Sequence, residues 1–194
     1  MAASEVLFFA ARAGDAMAIA PDAGRYHARL WRPSIREVVP PGLPRLPYAV
    51  WWIMHFLRVF RSSGYCVLLV DDTGELVHRC LVTPAWFRFP FMAREDLQIG
   101  DVWTRQDRRR QGLAAFGISQ ILRLEPSKER RYWYLTAAEN TASVRTAQRS
   151  GFLLAGRGRR TSTWGIRALG RYLLDPPGNT SLRGGILDAK HSRS

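Results

Sequence analysis

The period of hydrophobic and polar positions changes several times along the chain, and each change marks an element. Glu5 to Arg12 and Arg25 to Trp31 read as strands, the second with mixed alternation. PPGLPRLP, residues 40–47, is held extended by its prolines. Tyr48 to Arg61 (YAVWWIMHFLRVFR) then has helical length, no breaker, and apolar residues around almost its whole circumference, so this helix is expected to be buried or to cover a ligand. YCVLLVDDTGELVHRCLV, residues 65–82, places two β-rich runs about the turn Asp71-Asp72-Thr73-Gly74 and predicts a hairpin. A three-residue loop at 72–74 sets Cys66 opposite Cys80.

The aromatic stretch PAWFRFPFM, residues 84–92, has two readings: core filling under a loop, or one wall of an acceptor pocket. Asp96 to Thr104 predicts a strand, TRQDRRRQ a polar loop, and Gly112 to Glu125 a helix with Ala114, Ile118, Ile121 and Leu122 on one face, stopped by Pro126. Residues 132–137 (YWYLTA) predict a strand. Thr141 to Ser150 predicts a helix capped by Asn140 and closed by Gly151, and Phe152 to Arg159 a further strand. This alternation is α/β, and with the hairpin it implies a mixed sheet with helices on its faces. Residues 1–174 are expected to form one domain, and 175–194, with DPPGNTSLRGG and KHSRS, a loosely ordered tail.

Composition narrows the class. Hydrophobic content of 46% and seven tryptophans belong to a globular chain. The net charge of +13 invites an anionic partner, yet only Lys128 and Lys190 are lysines among 29 basic residues, and no run is long enough to be a basic arm. Most of the charge is therefore read as arginine-rich background. Cys66 and Cys80 alone make neither a disulfide framework nor a metal site and are expected to be reduced core residues. The first twenty residues lack a positive n-region and are broken by Arg12 and Asp15, so they make a poor signal peptide. No uninterrupted apolar run of about eighteen residues occurs, so no membrane span is expected. The expected location is cytoplasmic.

The stretch RRRQGLAAF, residues 108–116, asks for an anion. A helix N-terminus stabilises phosphate through unpaired N–H groups and the macrodipole. Gly112 and Ala114 leave room for close approach, while Arg108, Arg109 and Arg110 add guanidinium charge at the same point, a cradle suited to a pyrophosphate. Neither a Walker loop nor a dinucleotide fingerprint is present. Downstream, ENTASVRTAQRSGF (139–152) adds an Asn-capped helix closed by Gly-Phe.

Together, R109-R-Q-G112-L-A114 and N140-x-x-S143-x-R145 with G151-F152, set in strand, helix, strand, helix order, resemble the acyl-CoA-binding half of the GNAT superfamily of N-acyltransferases. The resemblance covers residues 96–159, the hairpin at 65–82 fits the preceding strands, and the first 60 residues match only in outline. It implies a mixed, mostly antiparallel twisted sheet flanked by helices, with splayed central strands forming the CoA cleft. It also implies a CoA thioester, most simply acetyl-CoA, as co-substrate, no metal, and a small-molecule amine as acceptor.

Carried over by position, Arg109, Arg110, Gln111, Gly112, Leu113 and Ala114 hold the pyrophosphate. Val102, Trp103 and Thr104 offer main chain to the pantetheine arm, Asn140 contacts that arm, and Ser143 lies near the thioester. Such enzymes transfer the acyl group directly, without a covalent acyl-enzyme. Asp101 is the candidate base or amine-orienting group, with His78, Asp96 and Glu139 in reserve and His55 read as a hydrogen-bonded core residue. Many members carry a Tyr seven residues after the Asn cap to protonate the sulfur; Ala147 stands there, leaving Tyr134, Ser143 or solvent for that part.

The substrates are open between an amino sugar acceptor, free or nucleotide-linked, and a hydrophobic acceptor or an acyl chain longer than acetyl. Two readings of another class compete. One is a basic nucleic-acid module stacking bases on its aromatic residues, though nucleic acid is not the expected partner. The other is a peripheral membrane or carrier-protein contact through Trp51, Trp52 and Phe56.

Overall fold

The computed structural model describes residues 5–12, 25–124, 130–162 and 170–175. Within them the chain forms eight strands and three α-helices. The strands are β1 (Glu5–Arg12), β2 (Tyr26–Trp31), β3 (Cys66–Asp72), β4 (Glu75–Pro84), β5 (Leu97–Thr104), β6 (Arg131–Ala137), β7 (Leu153–Arg160) and β8 (Tyr172–Asp175). The helices are α1 (Arg45–Phe56), α2 (Leu113–Arg123) and α3 (Thr141–Arg149). All strands join one sheet in the order β2-β3-β4-β5-β6-β1-β7-β8. Every neighbouring pair is antiparallel except β5 and β6, which run parallel because α2 lies in the connection between them. The expected stop at Pro126 lies outside the described residues, as do residues 176–194 of the expected tail; its first residue, Asp175, still belongs to β8.

The sheet divides two cores. On one face α2, through Ile118 and Leu122, and α3 cover Leu68, Val70, Cys80, Ile99, Tyr134 and Phe152. The other core joins Tyr48 of α1 to Trp86, Phe89 and Met92 from the connection after β4, and to Phe8, Val67, Leu69 and Leu81 of the sheet. The aromatic stretch 84–92 is therefore core, and part of it is also a pocket wall, as described below. Among the described residues no helix is long and apolar enough to cross a membrane.

Three expectations are corrected. α1 starts at Arg45 and ends at Phe56 rather than spanning 48–61. Pro47 is admitted because first-turn N–H groups have no intrahelical acceptor, and Arg58, at φ 54°, turns the chain out of the helix. The β3–β4 hairpin closes on two residues, Thr73 and Gly74, both at positive φ as short hairpin loops demand, with an extra residue, Val77, bulged into β4. Cys66 therefore faces Val82 while Cys80 faces Leu68; both thiols are free and buried, as expected of reduced core cysteines. Ala114 is only half-buried, because the inward face of α2 is set by Leu113, Gly117, Ile118, Ile121 and Leu122.

Gly117 lets α2 lie close against the sheet. A Cβ there would lie 2.5 Å from His78 Nε2 and 3.3 Å from Cys80 Sγ, and His78 is fixed from behind by Thr104 Oγ1 at 2.8 Å. Gly117→Ala is expected to destabilise the fold by about 1–3 kcal/mol despite alanine's better helix propensity, because the helix must lift off a close-packed face. Urea unfolding measures it, and an unchanged midpoint refutes the packing argument.

Candidate functional site

β5 and β6 pair only through Leu97–Tyr132, Gln98–Trp133 and Ile99–Tyr134. Beyond Ile99 each strand continues, β5 to Thr104 and β6 to Ala137, without a ladder between them. The edge of β5 facing β6 is therefore open over Val102, Trp103 and Thr104, while the opposite edge stays paired to β4 through Arg79–Trp103 and His78–Thr104. Open backbone of this kind can take up an extended amide-bearing chain.

Just past β5, a short 3₁₀ turn (Gln106–Arg108) leads to the loop before α2. Arg110 and Gly112 both adopt positive φ, 65° and 79°, and Gly112 is exposed at the α2 N-cap, with nothing within 4 Å of where a Cβ would stand. The first-turn N–H groups of α2 thus open to the exterior. The three arginines do not act together. Arg108 turns away to Asp72, whose buried carboxylate takes 2.9 Å from Arg108 and a two-point contact from Arg25. These guanidiniums, Arg25 first, hold the Asp72 carboxyl below its usual range. Arg109 reaches the carbonyl of Thr104 at 3.4 Å, and Gln111 accepts from the Tyr26 hydroxyl at 2.5 Å. Arg110 is exposed and makes no hydrogen bond or ion pair among the described residues. Leu113 is buried and anchors the helix start.

Asp101 sits on a bulge: between the pairs Arg79–Trp103 and Leu81–Gly100, β5 holds one residue more than β4. Its φ of 42° is the local sign of that insertion, and Gly100 and Asp101 in consequence both line the same pocket. Asp101 Oδ2 accepts from Tyr48 Oη at 2.6 Å and from Arg79 Nε at 2.8 Å, while Oδ1 has only a 3.4 Å contact to Arg79 Nη2. The Arg79 guanidinium lies over the Trp103 ring at 4.7 Å. Burial, then the bond to Asp101, pushes the Tyr48 hydroxyl far above its ordinary pKa, so it stays a donor. The pocket holds about 330 Å³ and is walled by Tyr48, Trp51, Trp86, Phe89 and Tyr172, with Arg79, Arg88 and Asp101 as its charged members.

On the other face, Tyr134 is buried at the last paired position of the parallel ladder. Burial raises its pKa, and a hydrogen bond with the half-buried Ser143 pulls the other way. Asn140 caps α3 by accepting from Ser143 N at 3.1 Å, which leaves its amide N–H₂ directed to other uses. Gly151, at φ 86°, closes α3 as expected.

The reserve candidates are elsewhere. Asp96 is buried at the start of β5 and accepts from Trp133 Nε1 at 2.8 Å and Ala93 N at 2.9 Å. Glu139 is exposed on the turn before α3. His55 is half-buried against Tyr65 and lines a different hollow, not the pocket of Asp101. His78 is sealed beneath α2 between Thr104 Oγ1 and Cys80 Sγ, and burial lowers its pKa to about 4. Among the described residues no three potential metal ligands cluster.

The His78 shift makes a stability prediction. Between about pH 6.5 and pH 4 the unfolded chain binds a proton that the folded chain refuses, so stability falls as pH drops through that window and levels off below it. The full effect is about 3 kcal/mol. Unfolding free energies of the wild type and His78→Gln, compared across the window, should diverge in slope; parallel curves would show that His78 is not held neutral.

Sequence reasoning missed Tyr48 and Arg79 as the partners of Asp101. The only signal was an arginine in the middle of a buried strand run, ELVHRCLV.

A model of the acetyltransferase (GNAT) family matches residues 28–152. No curated protein matches the chain. Among solved structures, it resembles a putative GNAT-family acetyltransferase from Novosphingobium aromaticivorans, with 16% identity over 81% of this chain and 62% of that one, at a TM-score of 0.50. A tandem GNAT protein from the clavulanic acid biosynthesis pathway gives 15% identity, 78% and 50% coverage, and a TM-score of 0.52. A conserved protein of unknown function from Staphylococcus epidermidis gives 13%, 79% and 59%, and 0.51. The chain spans only half to three-fifths of these structures.

Proposed function

Since the chain belongs to the GNAT acetyltransferase family, we propose that it transfers an acyl group, most simply from acetyl-CoA, to the amine of a small molecule, possessing the catalytic unit within residues 1–174 and acting in the cytoplasm. The observation that carries this reading is the end of the parallel ladder at Ile99, which leaves the free edge of β5 running toward the open turn at Gly112. A pyrophosphate fits that turn: the backbone of Arg109 to Ala114 surrounds an unobstructed α2 N-terminus, with Arg110 available beside it. Val102, Trp103 and Thr104 would pair with the pantetheine amides, and the Asn140 amide would donate to the same arm.

The acyl carbon would then lie at the splay, between the Asp101 pocket on one face and Tyr134 with Ser143 on the other. The amine nitrogen attacks the thioester carbonyl carbon, the C–S bond breaks, and the nitrogen loses one proton as the sulfur gains one. Asp101 is suited to orient the amine, since Oδ1 keeps acceptor capacity while Tyr48 and Arg79 fix the carboxylate through Oδ2. Water at this half-exposed position takes the proton. Tyr134, kept protonated by burial, and Ser143 take the part of the acid that Ala147 cannot fill. The aromatic walls and the volume of about 330 Å³ suit a monosaccharide-sized amine, such as an amino sugar, with any nucleotide portion outside.

The nucleic-acid reading draws less support. Trp31, Trp86 and Trp133 are buried, and Arg25, Arg29, Arg79, Arg105 and Arg108 are tied to carboxylates. An acceptor screen with acetyl-CoA that detects released thiol tests the proposal. Turnover with amino sugars is expected, and absence of turnover together with absence of CoA binding overturns it.

A further inference from the structure

Surface helices turn polar residues outward. α1 does the reverse. Tyr48 and Trp51 face inward, to the pocket and the aromatic core, whereas Leu46, Val50, Ile53 and Leu57, spaced by four, three and four residues, are 78%, 48%, 48% and 70% exposed. Phe56, 44% exposed, widens the stripe at its C-terminal end. The stripe extends over about 16 Å of helix. Trp51 and Trp52, the anchors suggested by the sequence, are instead half-buried, Trp51 against Phe60 and Trp86 and Trp52 bonded to the Ser34 carbonyl at 2.9 Å.

Where this stripe ends, a hollow of about 540 Å³ opens, lined by Arg58, Arg61, Arg94, Ser62, Ser63 and Phe56 among others. Arg61 reaches only the Met92 carbonyl, at 3.5 Å, and Arg94 the Arg61 carbonyl, at 3.3 Å, with Glu95 at 3.8 Å. The Arg58 side chain makes no hydrogen bond or ion pair among the described residues. Arg45 lies at the other end of the helix, and no Asp or Glu occurs between Glu37 and Asp71.

We infer that the outer face of α1 and this arginine hollow dock the protein onto an anionic phospholipid bilayer. The bilayer interface offers acyl chains to an aliphatic stripe and phosphate to guanidinium groups within the length of one helix. Nucleic acid offers phosphate and flat bases, but no apolar medium for an aliphatic stripe. A second copy of the chain would bring two strongly cationic molecules, each of net charge +13, face to face. Charge complementarity therefore selects the lipid surface, independently of whether the chain transfers acyl groups.

Cosedimentation of the full chain with vesicles tests this, using phosphatidylcholine alone and phosphatidylcholine with roughly one-third phosphatidylserine. Partitioning is expected to be about tenfold or more stronger on the anionic vesicles, and to weaken as salt rises. Val50→Glu combined with Ile53→Glu should lower it about tenfold, and the milder Ile53→Gln should lower it measurably, with the unfolding midpoint unchanged. Arg58→Glu with Arg61→Glu should remove the preference for anionic lipid. No enrichment of the wild type on anionic vesicles overturns the proposal, as does binding indifferent to the stripe variants. A dimer in solution that the stripe variants dissociate would also overturn it, giving the face to a second copy.

Discussion

Gly112→Glu is expected to abolish measurable CoA binding, weakening it by about 100-fold or more, while the fold survives. Two physical terms separate here. The first is backbone: at φ 79° any L-residue is strained, by about 1–2 kcal/mol, and alanine incurs that alone. The second is electrostatic. Nothing lies within 4 Å of the position of a Cβ, so a side chain is not rejected by crowding; it occupies the space in front of the α2 N–H groups. A carboxylate there competes for the same donors and repels a diphosphate within a few ångströms, which near a protein surface is worth a few kcal/mol. Calorimetric titration of CoA into wild type, Gly112→Ala and Gly112→Glu separates the terms. Alanine should cost less than tenfold in affinity if it refolds the turn. Equal losses from alanine and glutamate would mean that backbone conformation alone is being measured, and binding retained by the glutamate variant would remove the phosphate from this turn.

Seven of the eight strands, the helices and the cap of α3 were legible because each depends on local period or on a single capping residue, whereas β8, only four residues long, shows no such period. Asn140, Gly151 and the α2 start at Gly112 are legible cases. Quantities that depend on register were not legible. The opposition of Cys66 to Cys80 failed through one bulged residue and a loop one residue shorter than expected. The direction of Arg108 was hidden because its partner, Asp72, comes from the far hairpin, so an arginine that seemed to serve an anion instead secures a buried carboxylate. The outward stripe of α1 was concealed by the apolar residues on every side of that helix: composition reports hydrophobicity, and only packing decides which hydrophobic side chains remain outside. Asp101 stands out in the sequence by its place on β5, yet the bulge that aims it and the Tyr48 and Arg79 contacts that fix it belong to tertiary structure.

Those contacts set the second large effect. Asp101→Asn should lower kcat by about 100-fold or more and leave the affinity for CoA within threefold, because the proposed thioester arm and pyrophosphate contacts lie on the β5 edge and the α2 turn rather than in the Asp101 pocket. The amide keeps the shape and can still accept from Tyr48 Oη, but it removes the negative charge, so Arg79, whose side chain is only 11% exposed, loses its counter-ion beside the pocket. An ammonium approaching the pocket then meets an unbalanced guanidinium rather than a neutralised one. Arg79→Gln made together with Asp101→Asn should therefore recover part of the acceptor affinity but not the rate, since neutrality returns while the oriented carboxylate oxygen does not. Steady-state kinetics on the acceptor found in the thiol-release screen measure both variants. An Asp101→Asn enzyme within threefold of the wild-type kcat would assign Asp101 to holding Tyr48 and Arg79 in place, and the amine would have to be oriented by another group on the same wall.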